Sequence, residues 1–181
     1  MDSIPRLETE RLKLRAIFPA DVQAVFELMS DPRVVQHHEL EPFETIQQSR
    51  SLIADFTKWF QNDQAVRWGI VRKDNQELIG SCCFDTFHLK YQSVNLGYNI
   101  RSDQWGQGYA TEAVNKIIQY AFEHGIVGPV NRIQAITVPA NTPSEKVLKK
   151  LGFEKEGLMR QYGFWKGKFH DMNLFSLIKP R

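Results

Sequence analysis

The spacing of hydrophobic residues changes several times along the chain, and each change marks an element. In "ERLKLRAI" (Glu10–Ile17) apolar and polar positions alternate, which predicts a strand. "FPADVQAVFELMSD" then carries Val22, Val25, Phe26 and Met29 at helical spacing. "PFETIQQSRSLIADFTKWF" predicts a second helix with Ile46, Leu52, Ile53, Phe56 and Phe60 on its inner face. The period falls again in Ala65–Lys73, Glu77–Leu89 and Ser93–Arg101, which read as three strands, with "KDNQ" as a hairpin turn between the first two.

A long helix follows, its apolar stripe formed by Ala110, Ala113, Val114, Ile117, Ile118 and Ala121. "HGIVGP" breaks it, and "RIQAITV" (Arg132–Val138) is another strand. "TPSEKVLKKLGF" reads as a short helix. Thr142 is its expected N-cap, Pro143 its first turn, Glu145 the partner in a capping box, and Gly152 its C-terminal stop. The tail suggests two strands around the turn "WKGKF". The order β α α β β β α β α β β predicts one α+β domain over residues 1–181, with a mostly antiparallel sheet of about seven strands and helices on both faces.

Composition adds exclusions. The 181 residues are 42% hydrophobic and 24% charged, ordinary for a globular domain able to bury a core. With 23 basic against 21 acidic residues the net charge is +2, and in "KKLGFEKEGLMR" acids interrupt the bases, so no nucleic-acid partner is expected. Cys82 and Cys83 are adjacent in a strand, point to opposite faces, and read as small buried residues of a reducing compartment. "MDSIPRLETERL" lacks the apolar stretch of a signal peptide, and no run approaches the roughly 18 apolar residues of a membrane span. A cytoplasmic location is the expectation. His37 and His38 are adjacent while His88, His124 and His170 are scattered, a spacing that predicts no metal site.

The most informative stretch is "DQWGQGYATEAV" (Asp103–Val114), where two glycines stand at a helix start. A helix start leaves amides without internal partners, and with the positive end of the dipole they favour an anion such as a pyrophosphate. A competing reading is that the glycines only let the helix pack against the sheet. "GQGYAT" resembles a dinucleotide fingerprint, but Thr111 replaces the third glycine and no acid stands at the required distance, and a Walker loop is excluded because GK[ST] is missing.

"QWGQGYATEAV", "VPANTPSEKVLKKLGF", "EGLMR" and "HDMNLFSLI", in this order and spacing, resemble the GNAT superfamily of N-acetyltransferases, and more closely its bacterial branch that acetylates ribosomal-protein N-termini. The resemblance runs from "LETERLKLR" to the last strand. It implies acetyl-CoA as donor, with the pyrophosphate on Trp105, Gly106, Gln107, Gly108, Tyr109, Ala110 and Thr111. It also implies that the pantetheine arm pairs with the strand end Tyr98, Asn99, Ile100 and Arg101. That strand and Arg132–Val138 would be the splayed middle pair of the sheet, and Asn141 would bond the arm. Trp105 agrees with the ribosomal branch. Leu148 stands where many members carry a tyrosine acid, and "MRQYGFWKGKF" lacks the glutamate base of some members.

Acetyl transfer to an amine needs a neutral amine, a stabilised carbonyl oxygen and a protonated or hydrogen-bonded thiolate. At pH 7 an α-amine of pKa about 7.7–8.0 is about one-tenth neutral, whereas lysine at about 10.4 is far less so. Without an obvious base, an α-amine is the favoured acceptor. Ser144 is a candidate proton donor to the thiolate, or merely a helix-start hydrogen-bonding residue. Tyr98 is a candidate proton relay or a core aromatic, and an amide near Asn99 or Ile100 a candidate oxyanion donor. Glu112 and Glu156 read as structural. His37, His38, Glu39 and Glu41, in the segment that roofs the acceptor site in the family, could read a cationic acceptor or supply a base, or form an exposed polar loop. A protein N-terminus is the first acceptor considered, a polyamine or aminoglycoside the second, and a non-catalytic acyl-CoA sensor the third. A homodimer is compatible with the sequence.

Overall fold

The computed structural model describes residues 3–180, so the two ends of the expected 1–181 span lie outside it. The strands are β1 (Leu7–Glu8), β2 (Leu12–Arg15), β3 (Ala65–Arg72), β4 (Leu78–His88), β5 (Ser93–Ile100), β6 (Arg132–Thr137), β7 (Glu154–Trp165) and β8 (Lys168–Ile178). The helices are α1 (Val22–Ser30), α2 (Pro32–Val35), α3 (Ile46–Gln61), α4 (Tyr109–His124) and α5 (Thr142–Lys150). They build an α+β fold on an eight-stranded sheet of order β1-β2-β3-β4-β5-β6-β8-β7.

The expected count of about seven strands misses β1. Its two residues pair with Leu14 and Lys13, a span too short to show a period. The four-residue α2 escapes the same way, started by Pro32 and by Asp31, which accepts from the Arg33 amide. The second expected helix begins at Ile46 rather than at Pro42, where Gln48 reaches back to the amide of Thr45 at 2.9 Å.

Alternation along β3 assigns the two faces. Val66, Trp68 and Ile70 enter one core with Leu12, Leu14, Cys82, Phe84 and the buried stripe Ala113, Val114, Ile117 and Ala121 of α4. Leu148 of α5 belongs to the same core. On the other face Val71 and Leu78 pack under Val25, Leu28 and Met29 of α1 and Ile53 of α3. Helices therefore cover both faces, as the pattern predicts. Cys82 and Cys83 are both free and buried, one on each side.

All neighbouring strands are antiparallel except β5 and β6. These two pair in parallel only from Ser93↔Arg132 to Asn95↔Gln134. Beyond that point β5 stays with β4 as far as Gly80↔Ile100, and β6 stays with β8 as far as Thr137↔Asn173. The sheet thus opens into a V, with Gln134 Nε2 donating to Asn95 Oδ1 at 2.7 Å beside its apex.

Candidate active site

The open edge of β5 supplies main-chain groups. The Arg101 amide donates to Ile79 O of β4 at 2.8 Å. Antiparallel ladders alternate, so the amides of Ile100 and Tyr98 point the other way, into the V, and that of Asn99 points back toward β4. Of the two positions considered for an oxyanion donor, Ile100 has the free amide. The Asn99 side chain instead accepts from Ser81 N at 3.1 Å and Ser81 Oγ at 2.9 Å.

At the end of β5, Trp105 Nε1 donates to Ile100 O at 2.8 Å and ties the turn to the strand while leaving the ring half-exposed. Gly106 and Gly108 have φ of +75° and +82°, a region that strains any residue with a Cβ. A Cβ on Gly106 would meet no atom within 4 Å, and one on Gly108 would meet only Arg11 Nη2, at 3.5 Å. Packing against the sheet therefore does not account for these glycines. The turn geometry requires them, and the space above them is open.

Among the described residues, the amides of Gly106 through Thr111 donate to no protein acceptor, and the first helical bond of α4 runs from Glu112 N to Gly108 O. Arg11 frames this row. It donates to Gln107 O at 3.0 Å, pairs with Glu112 at 2.6 Å and lies 4.5 Å above the Tyr109 ring. Burial works against the Glu112 charge, but Thr9 and Arg11 outweigh it and hold the carboxyl below its usual range. Glu112 is a structural anchor, as expected. A cleft of about 550 Å³ runs from Gly108 and Thr111 to Lys150 and Leu151 at the end of α5, with Arg11 on its rim.

Across the V stands the start of α5. Its N-cap is Asn141, whose Oδ1 accepts from Ser144 N at 3.3 Å. Thr142 is already helical, so it does not cap. Glu145 does not close a box either; it accepts from Asn173 Nδ2 at 2.6 Å. Gly152 ends the helix as expected, with Phe153 N donating to Leu148 O and Gly152 N to Lys149 O, both at 3.0 Å.

Tyr98 and Ser144 meet at this start. The phenol oxygen lies 2.7 Å from Ser144 Oγ, a contact in which either hydroxyl can donate, and 3.1 Å from Ser144 O. Burial pushes the Tyr98 pKa up to about 12, against the opposing effect of its bond to Ser144. Leu148 is one turn along the same helix face and completely buried. A hydroxyl at position 148 would be in the core, whereas at 144 it faces the V.

The segment expected to roof the acceptor site is held by the turn between β7 and β8. Lys166 Nζ donates to Val35 O at 3.1 Å and lies 3.9 Å from exposed Glu41. His37 and His38 are half-buried, and Glu39 is exposed. Both imidazoles are pushed below their usual pKa: His37 by burial and then Lys166, His38 by burial, then Arg67, Lys166 and His37. Two cations act on His38 and, among the described residues, no carboxylate does. Arg101 is committed elsewhere, paired with Asp103 at 2.7 Å and Glu77 at 3.3 Å. Glu156 is also structural: Arg132, 2.5 Å away, and Ser176 lower its pKa to about 2. Among the described residues no group of three His, Cys, Asp or Glu side chains could hold a metal ion, and no helix is long and apolar enough to cross a membrane.

Three features escaped sequence reasoning: the Tyr98–Ser144 contact, the Arg11 frame and the position of Arg67. The last had a signal, a charge inside the apolar run "AVRWGIV".

Comparison with known proteins agrees with this geometry. Residues 11–154 match the family profile described as acetyltransferase (GNAT) domain. The chain is 38% identical over 177 residues to the uncharacterized N-acetyltransferase YoaA of Bacillus subtilis (strain 168), covering 98% of each chain. It is 28% identical to the [ribosomal protein uS5]-alanine N-acetyltransferase of Escherichia coli (strain K12), covering 97% of this chain and 91% of the relative. Among solved structures, the ribosomal L7/L12 α-N-protein acetyltransferase RimL in complex with coenzyme A superposes with a TM-score of 0.84 at 20% identity, covering 96% and 98% of the two chains.

Proposed function

Because this chain belongs to the GNAT acetyltransferase family and is an N-acetyltransferase, we propose that it transfers the acetyl group of acetyl-CoA to a protein N-terminal α-amine, with a ribosomal protein as the first acceptor to try. Residues 1–181 act as one domain in this reading. The observation that carries it is the row of amides from Gly106 to Thr111 without protein acceptors, placed beside a V whose open edge presents the Ile100 amide. The row and the cleft beyond it suit a diphosphate and the nucleotide end of coenzyme A, with Thr111, Arg11 and Lys150 at hand. Tyr109 contributes only its amide, since its ring is buried under Arg11, and Ala110 packs on the core. Asn141, besides capping α5, stands at the wall of the V.

Bound there, acetyl-CoA supplies an acetyl group already activated as a thioester. The protein's own groups do the rest. The Ile100 amide hydrogen-bonds the acetyl oxygen as negative charge develops on it. In this reading the Tyr98 proton goes to Ser144 Oγ, the shorter of its two contacts, which leaves the serine O–H free to hydrogen-bond the departing sulfur. The Tyr98 phenol keeps its own proton, because its pKa of about 12 is far above a thiol's, about 8.5.

The acceptor amine arrives neutral. Arg67 and Lys166 already disfavour a positive charge on His38, and they disfavour an ammonium beside it in the same way. An α-amine meets that condition far more readily than lysine or a polyamine. Water carries the released proton away, with neutral His38 as a candidate relay. The test is mass spectrometry of peptide, polyamine and aminoglycoside mixtures incubated with acetyl-CoA. Acetyl groups on free α-amines are expected, and labelling of lysine or polyamines alone would contradict the reading.

A further inference from the structure

Arg67 is a cation placed among apolar and polar neighbours without a carboxylate. Direct register pairs carry Arg67, Cys83 and Gly97 across β3, β4 and β5 on one row, and Gly69, Ser81 and Asn99 on the next. Side chains on these rows share the sheet face under α1 and α3. Arg67 Nη1 donates to Ser81 Oγ at 2.8 Å, and Ser81 Oγ donates onward to Asn99 Oδ1 at 2.9 Å. A polar chain therefore runs from Arg67 to the strand that borders the V. From above, the Phe56 ring of α3 lies 4.8 Å from the guanidinium carbon. On the same row Gly97 contributes no side chain, and the small Cys83 thiol packs against it, 3.1 Å from where a Cβ would stand.

Arg67 Nε is buried and has no hydrogen-bond partner, and among the described residues Arg67 makes no ion pair. The carboxylate on the same row system, Asp85, accepts from Thr86 Oγ1 at 2.8 Å and contacts Cys83 Sγ at 4.0 Å instead. A half-buried guanidinium whose Nε is buried without a partner is unfavourable by itself and becomes favourable when a carboxylate meets it, two N–H groups to two oxygens. Lys166, at the tip of the β7–β8 hairpin, adds a second cation to this side.

We propose that Arg67 reads a carboxylate carried by the acceptor within a residue or two of its reacting amine. This inference rests on the acetyltransferase reading above and refines its acceptor class: an α-amine accompanied by an acid, rather than a polycation. The carboxylate belongs either to an acidic side chain near a peptide N-terminus or to a free amino acid. Arg67 is then a specificity-determining residue, and the ammonium-repelling character of the same face selects the neutral form of the amine.

The test compares kcat/KM for peptides beginning Ala-Glu, Ala-Gln and Ala-Lys and for free glutamate, with wild type, Arg67→Gln and Arg67→Lys. Removing one partner of a buried charge pair costs at least about 30-fold, so wild type should prefer Ala-Glu to Ala-Gln by about that factor, through KM. The preference should collapse toward unity in R67Q and be partly kept in R67K, which has the charge without the planar fork. A higher kcat/KM on free glutamate than on Ala-Glu would assign the carboxylate to a small molecule, and the reverse to a peptide, both with the Arg67 dependence intact. A ratio near one in wild type, or one unchanged in R67Q, overturns the proposal while leaving the acetyltransferase reading standing. Were no amine turned over at all, that reading would fail. Calorimetric binding of the same peptides to the coenzyme A complex would still decide this proposal, by whether an acidic preference exists and disappears in R67Q.

Discussion

Replacing Ser144 by alanine removes one oxygen from the wall of the V, and the structure fixes what should follow. The Tyr98 phenol, 2.7 Å from that oxygen, is raised to about 12. Full proton transfer from it to a thiolate of pKa about 8.5 would be uphill by about 3.5 units, or about 4.8 kcal/mol. A serine hydroxyl is a weaker acid still, so neither group gives its proton up: Ser144 Oγ–H hydrogen-bonds the sulfur as negative charge develops on it, and Tyr98 is a positioning residue that acts through Ser144. Loss of one positioned hydrogen-bond donor to developing negative charge typically costs at least about 100-fold, so Ser144→Ala should lower kcat by about that factor with little change in coenzyme A affinity. Tyr98→Phe removes one neutral hydrogen bond, about 1 kcal/mol, and should lower kcat about fivefold. In the double variant the second loss should vanish, giving the Ser144→Ala rate. The assay is steady-state release of free thiol from acetyl-CoA with a peptide acceptor. Multiplicative losses, about 500-fold in the double variant, or a Ser144→Ala effect under about threefold, would refute the linkage.

Other expectations follow from the same structure. Gly108→Ala forces a Cβ into a φ of +82° and should destabilise the fold by about 1–2 kcal/mol in chemical denaturation, while weakening coenzyme A binding. Leu148→Ala, at a completely buried core position, should cost about 2–5 kcal/mol by the same measurement, and Leu148→Tyr should fail to restore Ser144→Ala because its hydroxyl enters the core. Glu156 has its carboxyl lowered from 4.5 to about 2, so its contribution to stability is complete above about pH 4.5 and is lost as pH falls toward 2. Thermal melting of Glu156→Gln should accordingly depend less on pH in that window than wild type. Cys82 and Cys83 are buried with raised pKa values, so mass spectrometry should find neither alkylated by iodoacetamide until the protein is unfolded.

The long regular elements were legible by their spacing. The one-sided stripe from Ala113 to Ala121 is α4, and the strand-length run Ala65–Arg72, buried on both faces, is β3. Elements of two and four residues, β1 and α2, are too short to carry a period. The α5 cap moved from Thr142 to Asn141 because both residue types cap well and only backbone geometry chooses between them. Of the site, the glycine turn was visible as a helix start, although positive φ explains its glycines better than packing does. The V between β5 and β6 has no signature in spacing and came from family resemblance alone. The Tyr98–Ser144 contact joins residues 46 apart in sequence. The electrostatics of the His37–His38 segment were the least legible. Read in isolation, its neighbouring glutamates suggest a cationic acceptor, whereas the folded chain brings Arg67 and Lys166 to it from distant strands and hairpins. Charge at a site is a property of the assembled neighbours, and local sequence reports only one of them.

A crystal structure with coenzyme A bound offers the most direct test of the site. The diphosphate oxygens should lie within about 2.7–3.2 Å of several amides between Gly106 and Thr111, with the thiol end in the V near Ser144 Oγ. A diphosphate bound away from that turn, with those amides still without acceptors, would contradict it.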